Sequence, residues 1–278
     1  MNVSVQVTPL LDIAIAAGEK ILEIYHDSDF SQVVNFKDDD SPLTLADKAS
    51  HEIIVAGLKE FFPDIPIISE EGKDIAYEER KDWNPFWLVD PLDGTKEFIK
   101  RNGQFTVNIA LVHNHHPVVG VIYTPVTEEL YYASQEGYAS DVDAGTFKRE
   151  SLGEPYSLSV RHQAENRVAV RSSSHASEEE EAILNEYGVT ESMARGSSLK
   201  FCMVAEGKAD IYYRHGPTME WDTAAGQAVV EGAGSDVNQL AAARLDHGRH
   251  DGAHDLMHAA GVDAHDQVEL VIVDLEKT

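Results

Sequence analysis

The stretch Phe86-Trp87-Leu88-Val89-Asp90-Pro91-Leu92-Asp93-Gly94-Thr95 constrains the chain more than any other. Its four leading apolar residues have the length and character of a buried strand. Pro91 fixes φ and lacks an N–H, so the strand has to turn between Asp90 and Asp93. Gly94 then opens a short helical start at Thr95. Two carboxylates therefore leave a stiff corner rather than a floppy loop. Carboxylate oxygens suit hard cations such as Mg²⁺, and the N–H groups that follow Asp93 can cradle a phosphate oxygen. Asp-Pro-x-Asp-Gly alone is also an ordinary turn. Further acidic stretches tilt the balance: Glu70-Glu71 closes the apolar run Ile65 to Ser69, and Trp221-Asp222-Thr223 opens a small-residue helix.

The remaining pattern predicts an α+β or α/β protein. Apolar residues from Leu10 to Tyr25 recur at helical spacing, and Val33 to Lys37 reads as a short strand. Ser41 to Asp47 leads into a second helix that ends near Phe62, with Asp47 in its first turn, where the helix dipole favours a carboxylate. Lys73 to Asn84 is charged and reads as a mobile surface segment. Thr106 to Val112, Pro117 to Tyr123 and Leu130 to Ala133 read as antiparallel strands, with a further hairpin over Tyr138 to Lys148. His113, His115 and His116 are read as turn residues rather than a metal cluster. After a polar connection over Ser151 to Gln163, strands and helices alternate: Arg167 to Arg171, Ser177 to Tyr187, Thr190 to Ala194, Ser198 to Glu206, Ala209 to Tyr213 and Thr223 to Glu231. The reading divides the chain into 1–150, 151–234 and a tail, 235–278.

That tail differs in character. All 22 aromatic residues precede it, while it holds five of the thirteen histidines. His247, His250, His254 and His258 have the spacing of one helical face, but Gly248 and Gly252 oppose a helix. The tail is read as divergent and poorly packed, except for the apolar Val268 to Val273, rather than as a zinc site.

Charge narrows the partners. The chain has 49 acidic and 22 basic residues, a net charge of −27. Nucleic-acid polymers and anionic membrane surfaces are poor partners for it. An anionic small molecule can still bind where cations reverse the local field, because screening over about 8 Å limits the rest of the surface. A single cysteine excludes an internal disulfide and fits a reducing compartment. There is no secretory signal pattern and no apolar run near the roughly 20 residues of a membrane helix. The reading is cytoplasmic; oligomeric state is left open.

The acidic stretches fall in an order, with Ser41-Pro42-Leu43-Thr44-Leu45-Ala46-Asp47, Gly196-Ser197-Ser198-Leu199-Lys200-Phe201-Cys202 and Gly216-Pro217-Thr218-Met219-Glu220-Trp221-Asp222, that resembles the inositol monophosphatase superfamily of metal-dependent phosphatases. The likeness runs from about Leu10 to Gly234 and is strongest to the CysQ-type 3′(2′),5′-bisphosphate nucleotidases. It implies a layered αβαβα sandwich and two or more Mg²⁺ ions. Glu70, Asp90, Asp93 and Asp222 are the ligands the residues themselves offer; the resemblance implies the same set plus the Leu92 carbonyl. It also implies that Asp47 and Thr95, with Glu70 and help from Glu71, activate water, and that the Gly94 and Thr95 N–H groups hold the scissile phosphate. His175, Ser197, Lys200 and Arg214 match nucleotide contacts, although Ser173 stands where the pattern has a basic residue. The family's usual C-terminal ending is missing.

The implied reaction converts 3′-phosphoadenosine 5′-phosphate, a by-product of sulfate assimilation, to AMP and phosphate, with lithium inhibition. A peripheral place at the inner membrane is implied by the same likeness. The rival readings are an inositol monophosphatase, a nucleotide-binding module without turnover, and an acidic calcium buffer.

Overall fold

The computed structural model describes residues 3–26, 34–36, 42–151, 153–161, 166–172, 178–215, 218–239 and 269–273. Five layers stack in the order helix, sheet, helix, sheet, helix. The outer helices are α1 (Thr8–Tyr25) and α2 (Leu45–Phe61). Beneath them lies a seven-stranded sheet of β3 (Ile67–Ser69), β4 (Phe86–Asp93), β5 (Thr106–His113), β6 (His116–Thr124), β7 (Glu129–Ser134), β8 (Gly145–Glu150) and β9 (Tyr156–Ser157), in that spatial order. Only β3 and β4 run parallel; the rest are antiparallel neighbours. A small hairpin, β1 (Val34–Phe36) and β2 (Pro42–Thr44), precedes α2.

The central helical layer is α6 (Leu199–Ala205) and α7 (Glu220–Gly232). The second sheet has five strands in the order β11 (Val189–Arg195), β10 (Arg167–Ser172), β12 (Ile211–His215), β14 (Glu269–Val273), β13 (Asp236–Gln239). Its outer face carries α5 (Glu178–Glu186). Two short helices, α3 (Tyr77–Arg80) and α4 (Thr95–Ile99), complete the set.

Period-2 alternation explains the layering. On β4 and β5, Trp87, Val89, Val107 and Ile109 join α1 and α2 in one core, while Leu88, Ala110 and Val112 face α6 and α7 in the other. Strands buried on both faces read as continuous apolar runs, which is why β4 to β6 look so uniform in the sequence. Close approach of α7 to β6 depends on Gly120: a Cβ there would stand 2.7 Å from the Ala228 methyl and 2.8 Å from the Ala225 carbonyl. Ala169, Ile211 and Tyr213 form a third, smaller cluster under α5.

The segment Lys73 to Asn84, expected as a mobile surface stretch, is largely exposed, yet it contains α3 and buries Arg80, whose Nε donates to the Ile75 carbonyl at 3.2 Å. Of the residues from 235 on, 235–239 and 269–273 are described, and β14 lies between β12 and β13 in the second sheet. The four spaced histidines of the tail lie outside the described residues. Among the described residues no helix is long and apolar enough to cross a membrane.

Candidate active site

The site begins with an irregularity in β4. Asp90 pairs with Asn108 of β5, and Asp93 pairs with Thr106. Three steps along β4 thus oppose two along β5, so one residue is extra. In a regular strand, residues three apart point to opposite faces. The extra residue returns Asp93 to the side of Asp90, on the face that looks toward α6 and α7. It also lets Pro91 sit within a sheet strand. The corner is held locally: the Leu92 N–H donates to Asp90 Oδ1 at 3.1 Å, and the Ser50 hydroxyl of α2 donates to the Pro91 carbonyl at 2.7 Å. Gly94 follows with φ +93°, and a Cβ there would stand 3.2 Å from both the Gln104 carbonyl and the Ser197 Cβ. Glycine is the residue that meets both demands.

Other acidic groups arrive from separate elements. Glu70 follows β3, and its N–H donates to the Val89 carbonyl at 3.1 Å, which sets it beside Asp90. Asp47, in the first turn of α2, is buried on the same helix as Ser50. Asp222 lies in the first turn of α7, where its Oδ2 accepts the Met219 N–H at 3.1 Å and the Thr218 hydroxyl at 3.0 Å. That reciprocal cap fixes the plane of the carboxylate.

The electrostatics match this convergence. Burial pushes the Asp90 carboxyl well above the usual range, and the charges of Glu70, Asp93, Asp222 and Asp47 push it further. Burial and then Asp93 raise Asp222 as well, against the opposing pull of Arg214. Arg214, on β12, is opposed by its own burial but held charged by Tyr212, Asp222 and Asp93. Glu71 lies beside His51, where its charge works against burial in favouring the imidazolium.

Asp93, like Asp222, is held through one carboxylate oxygen. Its Oδ2 accepts hydroxyl protons from Ser197 at 2.6 Å and Ser198 at 2.9 Å. Ser197 has φ +55° and its hydroxyl also lies 3.1 Å from the Asp93 carbonyl. The Lys200 side chain is buried, with Nζ donating to the Ser197 carbonyl at 2.6 Å and lying 5.3 Å from the centre of the Tyr212 ring.

The structure therefore brings Glu70, Asp90, Asp93, Asp222 and Asp47 into one electrostatic cluster, with Arg214 beside it and Ser197 and Lys200 at its edge. Leu92, Gly94 and Thr95 lie on the same corner. His175 lies outside the described residues. Reading the sequence missed Thr106, Asn108, Ser198 and Tyr212. Thr106 and Asn108 carried a signal, being two polar residues at alternate positions of an otherwise apolar strand.

Among the described residues, no group of three or more His, Cys, Asp or Glu side chains stands ready-made to hold a metal ion. The donor set nevertheless fits a hard divalent cation. It consists of carboxylate oxygens, and a buried carboxyl facing four others is relieved most directly by positive charge.

The five-layer fold and an acidic corner facing a basic flank define a class of protein, and comparison with known proteins identifies it. The model of the inositol monophosphatase family matches residues 5–270. The chain belongs to that family. The 3′(2′),5′-bisphosphate nucleotidase CysQ of Salmonella typhimurium is 46% identical over 231 residues, covering 83% of this chain and 89% of that protein. The enzyme of the same name from Escherichia coli K12 matches at the same identity and coverage. The crystal structure of CysQ from Bacteroides thetaiotaomicron superposes with a TM-score of 0.78 at 40% identity, covering 97% of each chain.

Proposed function

We infer that this chain is a 3′(2′),5′-bisphosphate nucleotidase, an enzyme that hydrolyses 3′-phosphoadenosine 5′-phosphate to AMP and phosphate. The observation that carries the reading is the meeting of carboxylates from β3, β4, α2 and α7 around Asp90, with Arg214 alongside. Relatives at 46% identity bear the nucleotidase name.

The cofactor is Mg²⁺, two or more per site. Glu70, Asp90 and the Leu92 carbonyl would hold one ion, and Asp90, Asp93 and Asp222 a second. Bound divalent cations supply charge neutralisation at the phosphate and a more acidic water. The chain's own groups do the rest. The Thr95 hydroxyl accepts a hydrogen bond from the attacking water and donates to Asp47, which takes up the proton, with Glu70 and Glu71 nearby. The Gly94 and Thr95 N–H groups orient the scissile phosphate. Lys200 and Arg214 pair with the phosphate that is not cleaved, and Ser197 and His175 complete the nucleotide contacts. In this assignment residues 1–150 carry most of the metal site and 151–234 select the substrate.

Phosphate release tests the reading. With Mg²⁺, release from 3′-phosphoadenosine 5′-phosphate should exceed that from inositol 1-phosphate, and chelation should abolish both. Faster release from the inositol ester would move the assignment to inositol monophosphatase. Nucleotide binding by calorimetry with release at background would make the chain a binding module.

A further inference from the structure

We propose that Thr106 and Asn108 of β5 are positioning residues that aim the Asp93 carboxylate at the metal through Ser198. The proposal rests on the two-cation reading above. Both serine hydroxyls reach one oxygen, Asp93 Oδ2. A serine hydroxyl rotates and carries a single proton, so its other partner decides where that proton points. For Ser198 that partner is the Asn108 side-chain amide, which donates to Oγ at 2.9 Å. An amide N–H cannot accept, so the Ser198 proton goes to Asp93 Oδ2, the nearer acceptor, over the Asp222 carbonyl at 3.4 Å. For Ser197 the partner is the Thr106 hydroxyl, 2.6 Å away. The Thr106 proton goes to Asn108 Oδ1 at 3.0 Å, which turns the amide NH2 toward Ser198.

A directional chain therefore runs from Thr106 through Asn108 and Ser198 to that carboxylate oxygen. Thr106, Asn108 and Ser198 are 0%, 1% and 2% exposed, so bulk water cannot take the place of a lost link. Two donors on Oδ2 stop the carboxylate from rotating and leave Oδ1 as the oxygen that a cation takes. The same serines lead into α6, where Lys200 donates to the Ser197 carbonyl. Aim at the metal and the seating of the substrate side are thus set by one short segment. Partners that orient a metal ligand in this way are worth about 10–100-fold in metal affinity.

The test is Mn²⁺ binding to the full chain, followed by electron paramagnetic resonance, with the fold checked by circular dichroism. Thr106→Val keeps the shape and removes the hydroxyl; Asn108→Leu removes the amide. Each should weaken the second Mn²⁺ by about 10–100-fold, and Thr106→Ser should restore it. Should Thr106→Val and Asn108→Leu fail to fold, Ser198→Ala against Ser198→Thr reads the same chain. Folded variants with wild-type Mn²⁺ affinity overturn the positioning role, whatever their melting temperature. Absence of Mn²⁺ binding in the wild type overturns instead the two-cation reading beneath it.

Discussion

Replacing Lys148 with methionine should destabilise the protein by about 3 kcal/mol, a loss set by which of its partners water can reach. The Lys148 side chain is 2% exposed, and its Nζ meets Glu129, Glu150 at 2.9 Å and Glu206 at 2.8 Å. It also lies 5.0 Å from the centre of the Tyr131 ring, while the Tyr131 hydroxyl donates to Glu206. Removing one partner of a buried pair costs about 3–5 kcal/mol, mostly from the charge left behind. Here Glu150 is 55% and Glu129 26% exposed, so their loss is largely screened. Glu206 is 6% exposed but retains Lys208, which places the expectation at the low end. At about 2–4 °C per kcal/mol for a chain near this size, the melting temperature should fall by about 6–12 °C.

Urea unfolding at pH 7 measures that loss, and adding Glu206→Gln to Lys148→Met should recover about half of it. The pH dependence has a definite sign. Lys148 titrates higher in the folded state, so its contribution is complete below its unfolded value of about 10.4. Glu206 titrates lower, so its contribution is present above about 4.3 and fades as the pH falls through its folded value. The deficit should therefore hold between those limits and shrink in acid. A loss below about 1 kcal/mol at pH 7, the scale of an exposed pair, would refute the argument.

Three further outcomes are expected. Asp90→Asn should abolish Mn²⁺ binding and turnover together, yet raise the melting temperature of the metal-free protein, because it removes a buried charge that four carboxylates oppose; calorimetry on chelated protein reads the second effect. Gly226→Ala should cost about 1–3 kcal/mol in urea unfolding, since the new methyl would stand 2.3 Å from the Phe201 ring between α6 and α7. Lys200→Ala should impair turnover of the bisphosphate nucleotide far more than any residual turnover of inositol 1-phosphate; equal losses would remove Lys200 from substrate selection.

Much of this architecture was legible in the chain. The run from Phe86 to Val89 announced a buried strand because β4 is covered on both faces, and the alternation after Arg167 announced β10 to β12 with α5 to α7 to within a few residues, but not β13. Asp90 and Asp93 stood out because proline and glycine mark the corner. Thr106 and Asn108 broke the apolar pattern, but a polar residue in a strand usually faces water, and only the β4–β5 register sets them opposite Asp93 and Asp90. Lys148 only closed the stretch read as a hairpin; its partner Glu206 lies 58 positions away, which local pattern cannot foresee. Arg80 was masked in the same way by the charged stretch around it.

The single surplus residue in β4 has a consequence for how such a centre can vary. It makes the spacing between the two aspartates a matter of parity. Pairing the same three steps regularly, without the bulge, would swing Asp93 through the sheet into the apolar layer under α1 and α2, whatever side chain remained. At this spacing the bulge itself, with Leu92 buried in that layer, is what keeps both carboxylates on one face.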